Sequence, residues 1–211
     1  MAELKKLTME PRLLKIPGLI KEIDRPWELD DYVEWLDEEL RNGSTEERKH
    51  YILGHSNGGR IATAYAAKYP DKVDKLILID SAGVRDLSWR AKGKRAVFKW
   101  LAKGGKLFTR HPLAEKFIYK LAGEKDYYQA NPVMKQTMAN LIEVDLREKM
   151  KLIKCPTLII WGENDKMTPI KKAEITQRHI AGSKLKVIPR EGHSPHYTSA
   201  AKVAKLVSKF L

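Results

Sequence analysis

The sequence predicts an α/β fold: a mostly parallel sheet with flanking helices, and a helical cap inserted between two of its strands. Three observations carry that expectation. Short apolar runs bounded by Gly, Asp or Pro alternate with segments of helical period. The alternation breaks between about Gly83 and Lys151, where the pattern is helical throughout. The chain of 211 residues, 43% hydrophobic, is long enough for one buried core plus an insertion. The core is therefore expected over residues 1–83 and 151–211, and the cap over 84–150.

The expected strands, in order, are residues 12–16, 51–53, 75–79, 157–161 and 184–188. Each is short and rich in aliphatic residues, as strands covered on both faces by crossover helices are. Between them, Leu29, Tyr32, Val33, Leu36 and Leu40 fall on one helical stripe, with Asp30 and Asp31 suited to the positive end of the helix dipole. Residues 61–68 form an Ala-rich helix that stops before Pro70. A further helix is expected from Thr168, as cap, and Pro169 to near Gly182, and a last one over 199–211. The cap is expected to hold helices at 88–103, 112–121 and 133–151.

Charge and composition remove several function classes. Charged residues make up 32% of the chain and no run approaches the ~18 apolar residues of a membrane-spanning helix. The N-terminal residues lack the apolar stretch of a secretory signal, so a cytoplasmic protein is expected. A single cysteine, Cys155, excludes an internal disulfide and a Cys-rich metal cluster, and its apolar setting suits an inert buried thiol. The formal charge is +13, and +8 of it lies between Val84 and Glu124, where eleven Lys or Arg face three acids. Such a patch attracts anions. Its aromatic interleaving also fits nucleic acid or lipid, but a solvated basic face over an apolar underside explains it more simply, and neither nucleic acid nor a membrane is an expected partner.

The segment that carries chemistry is Gly54-His55-Ser56-Asn57-Gly58-Gly59-Arg60, a strand passing through a glycine-flanked turn into a helix. It matches the G-x-S-x-G turn that lifts a serine off the end of a strand. The glycines are expected because a Cβ two residues either side of the serine would meet the neighbouring turn. The segment fits neither a phosphate-binding P-loop nor the G-x-G-x-x-G dinucleotide fingerprint.

A serine hydroxyl needs a base, and the base an orienting acid. The strand at 157–161 runs into Gly162-Glu163-Asn164-Asp165, and the strand at 184–188 into Glu191-Gly192-His193-Ser194-Pro195-His196. Both place acid and imidazole at strand C-terminal ends, where α/β sheets gather ligands. Glu163 and Asp80 compete for the acid and His196 for the base.

Taken together, Gly54 to Gly59, the segment Leu-Ile-Leu-Ile-Asp-Ser-Ala-Gly at 76–83, the segment Pro-Thr-Leu-Ile-Ile-Trp-Gly-Glu-Asn-Asp-Lys-Met-Thr-Pro at 156–169, and Glu-Gly-His-Ser-Pro-His at 191–196 resemble the α/β-hydrolase superfamily. The likeness is to its cap-bearing esterases and carbon–carbon bond hydrolases, from about Arg12 to the C-terminus. It implies Ser56 as nucleophile, Asp165 as acid, His193 as base and the Asn57 N–H as an oxyanion donor. His55, Trp89, Trp100 and His196 are the expected substrate-pocket residues, and no cofactor or metal is expected.

The chain departs from that family at the front. Residues 12–16 look like the family's fourth strand, and the earlier strands, with the loop that supplies the second oxyanion donor, have no counterpart. Without the strand that normally lies beside it, 51–53 is expected at a sheet edge, and self-association there is the expected consequence. The function expected is hydrolysis of small carboxylic esters, thioesters or lactones through an acyl-enzyme. The alternative is a weak or inactive hydrolase scaffold serving folding or interaction.

Overall fold

In the computed structural model, which describes residues 11–18, 22–42, 49–86 and 132–211, a parallel sheet organises the chain. Its described strands β1 (His50–His55), β2 (Val73–Ile79), β3 (Thr157–Gly162) and β4 (Lys184–Ile188) lie side by side in sequence order. The described helices are α1 (Leu29–Asn42), α2 (Asn57–Lys68), α3 (Pro132–Glu143), α4 (Arg147–Met150), α5 (Lys171–His179), α6 (Pro195–Thr198) and α7 (Ala200–Phe210).

Strand alternation divides the core between two faces. Leu76 and Leu78 of β2, with Ile52 of β1, pack under α1 and α2, where Tyr32, Val33, Ile61 and Tyr65 are buried. Ile77 and Ile79, with Leu158 and Ile160 of β3, face α7 through Val203 and Val207. On the first face, Ile159 and Trp161 meet Ala173 of α5. Burial on both faces, expected of every strand, holds for β3 and most of β2 but not for β1 and β4, which form the two edges of the described sheet. Tyr51 and Leu53 of β1 are 42% and 41% exposed because nothing described covers the α7 side of that strand.

Three expected elements differ. Residues 12–16 form no strand: among the described residues the segment has no ladder partner, and it is held by Leu14 and Ile16 against the core and by the Arg12 ion pair with Glu39. The expected helix at 133–151 breaks at 144–146, where Asp145 accepts the N–H groups of Arg85 (2.9 Å) and Arg147 (3.0 Å) and the Leu146 N–H donates to the Gly83 carbonyl (2.9 Å). These contacts divert the backbone groups that a continuous helix would use. The helix expected from Thr168 starts at Lys171, because both the N–H and hydroxyl of Thr168 are directed to Asp165. The cap helices expected at 88–103 and 112–121 lie outside the described residues.

Candidate active site

The end of β1 turns sharply at Ser56, whose φ of 51° and ψ of −117° lie in a region that L-residues avoid. The surrounding backbone holds it there. Its N–H donates to the Ile79 carbonyl (3.1 Å), and its carbonyl accepts from Arg60 (3.1 Å) and Ala82 (3.0 Å). A Cβ on Gly54 would lie 2.5 Å from the Gly58 carbonyl oxygen, so that glycine is required by close approach. The expectation for Gly58 is corrected: a Cβ there meets nothing nearer than Ile16, at 3.7 Å. The crowded position is Gly59, where a Cβ would come within 2.4 Å of the Ser81 hydroxyl.

The loop after β4 brings His193 to this turn. Its Nε2 is 3.0 Å from Ser56 Oγ and its Nδ1 is 2.8 Å from Asp165 Oδ2. Asp165, in the turn after β3, has a fully buried side chain, while that of His193 keeps 15% exposure. Asp165 Oδ1 accepts the N–H groups of Met167 (2.8 Å) and Thr168 (2.9 Å), and Oδ2 also accepts the Thr168 hydroxyl (2.5 Å). Burial alone would raise this carboxyl, but the bonds from His193 and Thr168 outweigh it and hold Asp165 below its ordinary range. The result is a fixed negative charge at Nδ1 and a ring nitrogen facing a hydroxyl, which is the arrangement for drawing a proton from serine.

Neighbouring groups complete the site. Asn57 opens α2, so its N–H belongs to the first helical turn, where donors have no partner within the helix and the dipole favours negative charge. The His55 ring bonds the His193 carbonyl through Nε2 (2.7 Å), which makes Nε2 its protonated nitrogen, and it lies 4.9 Å from the His193 ring and 4.2 Å from that of His196. Burial pushes His55 down to about 4 and also lowers His196. His55 thus braces the loop that carries His193, whereas His196 is exposed beside it. Trp89 and Trp100 lie outside the described residues.

Of the competing acids, Glu163 points away, accepting the Arg190 N–H (2.8 Å), while Asp80 is buried close to the site. Thr168 was legible only as a helix cap; the Asp-x-x-Thr spacing is the signal that it turns back on Asp165. A metal-type cluster also exists on distance: one ligand atom each from His55, Asp80 and His193 lie within 4.8 Å of one another. Both His193 ring nitrogens already face Ser56 and Asp165, so an ion there would compete with that arrangement.

A parallel sheet whose strand ends gather a strained serine, an imidazole and a buried carboxylate defines the α/β-hydrolase class. The chain belongs to that superfamily: residues 28–198 match the family described as serine aminopeptidase, S33. It is 32% identical over 164 residues to serine hydrolase BPHL of Mus musculus, covering 76% of this chain and 54% of that protein. It is 30% identical over 217 residues to the AB hydrolase superfamily protein YisY of Bacillus subtilis, covering 89% and 76%. Among solved structures, a lipase-esterase related protein from Clostridium acetobutylicum shares the fold at a TM-score of 0.71 and 21% identity, over 100% of this chain and 88% of that one. The chain spans about half the length of the BPHL proteins it matches.

Proposed function

We propose that the chain is a serine hydrolase of small carboxylic esters, thioesters or lactones, working through an acyl-enzyme on Ser56. The observation that carries this reading is the continuous line from Ser56 Oγ through His193 to Asp165, with contacts of 3.0 and 2.8 Å. Ser56 Oγ attacks the carbonyl carbon while His193 Nε2 takes its proton, and Asp165 holds the resulting imidazolium. The Asn57 N–H donates to the oxyanion. Collapse expels the alcohol, thiol or ring oxygen with the proton from His193, and water activated by the same nitrogen releases the acid.

The test is a panel of short-chain esters, thioesters and lactones. Turnover is expected and should drop by about 10⁴ or more in Ser56→Ala and in His193→Ala. Turnover unchanged in His193→Ala would exclude the reading. The alternative reading is a hydrolase scaffold retained for folding or interaction. It expects no turnover of any member of the panel.

A further inference from the structure

A second carboxyl, that of Asp80, lies near the imidazole of His193 that Asp165 contacts. Asp80 follows β2 directly and holds φ at 42°, uncommon for a residue other than glycine although aspartate adopts it more readily than most. Its N–H donates to the Ile160 carbonyl (3.0 Å), which locks it between the ends of β2 and β3. It has no exposed surface. Oδ1 accepts the Gly162 N–H (2.8 Å), but Oδ2 is buried without a hydrogen-bond partner among the described residues. One carboxyl oxygen lies within 4.8 Å of a ring nitrogen of His193 and of His55.

A buried carboxylate with a single donor, beside a second carboxylate, is an expensive arrangement. Removing the charge resolves it. A protonated Asp80 turns the orphan oxygen into a donor, and the negative group beside it is Asp165. Two bare carboxylates offer one another no donor, which leaves the Asp80 oxygen unpartnered; with a proton on Asp80 the neighbouring Asp165 carboxylate becomes its acceptor.

We propose that Asp80 is a positioning residue: a neutral acid whose O–H is directed at the Asp165 carboxylate and holds it in register with His193. The inference rests on the serine-hydrolase reading of Ser56, His193 and Asp165. Electrostatics favour this division of labour. Burial, with the Asp165 charge adding to it, pushes Asp80 up to about 7, whereas Asp165 is held low by the donors around it. Two carboxyls with environments that push them apart take separate roles, one a proton-bearing donor and the other the ion. Among the described residues, the titratable groups facing Asp80 are His55 from the end of β1, Asp165 from the turn after β3 and His193 from the loop after β4.

The experiment follows the rate of reaction with a fluorophosphonate across pH 6 to 9.5 in wild type, Asp80→Asn and Asp80→Ala. The wild-type rate is expected to fall by about threefold or more above neutrality, as Asp80 loses its proton and the donor becomes a second negative charge. Asp80→Asn keeps an N–H donor at every pH and should hold its rate across that range. Asp80→Ala should be slower by roughly tenfold at pH 7, because the carboxylate that steers the imidazole is released. A reacting wild type whose profile superimposes on that of Asp80→Asn overturns the proposal, as does an Asp80→Asn variant as slow as Asp80→Ala. A wild type inert at every pH overturns the hydrolase reading with it.

Discussion

His55 shows how a residue beside the site can report on it through stability alone. Burial holds its ring neutral down to about 4, against an ordinary value of 6.5. The unfolded chain therefore takes up the proton first. The stabilisation is present in full above roughly pH 6.5 and is lost as pH falls towards about 4, up to about 3 kcal/mol. Chemical denaturation of wild type and His55→Gln should show the gap between them shrinking over that interval; a gap that stays constant with pH would show that His55 keeps its proton affinity on folding. Asp80 works in the opposite sense, since a raised carboxyl loses stability as pH rises from about 4 to about 7. Ser56, Asp165 and His193 were each legible as residue types at strand ends. Thr168 was not legible as a site residue, because a threonine before a proline reads equally as a helix cap, and only the folded turn shows its hydroxyl on Asp165.

At the scale of elements, β1, β2, β3 and β4 were legible as short apolar runs because their periodicity and bounding residues agree. What failed were boundaries set by tertiary contacts. The segment at 133–151 has the period of one helix, yet Asp145 and Leu146 spend their hydrogen-bonding groups on Arg85, Arg147 and Gly83 and divide it into α3 and α4. No local pattern announces a partner sixty residues away. The turn from β1 into α2 separates two glycines that look equivalent in sequence. Gly54→Ala should cost roughly 3 kcal/mol or more and abolish reaction at Ser56, since the new methyl would strike the backbone of Gly58. Gly58→Ala should remain within ~1 kcal/mol of wild type, having space and a helical backbone. Urea titration of both variants distinguishes them, and equal loss would show that the turn requires both glycines.

For the whole molecule, the described sheet has two unlike edges. At β4 the exposed Val187 sits beside Lys184 and Lys186, charges that discourage pairing, whereas β1 presents Tyr51 and Leu53 with no exposed charge between them. Self-association through β1 is the expected outcome, read by light scattering at micromolar concentration as a mass near twice 24.2 kDa that Leu53→Lys returns to the monomer. A wild-type monomer would remove that expectation. No described helix is long and apolar enough to cross a membrane. The central claim concerns Ser56, and the most direct measurement is mass spectrometry of the chain after reaction with a fluorophosphonate. The account predicts one adduct, on the peptide containing Ser56, absent in Ser56→Ala and slowed by orders of magnitude in His193→Ala. No adduct on the wild type, or the same adduct in Ser56→Ala, would contradict it.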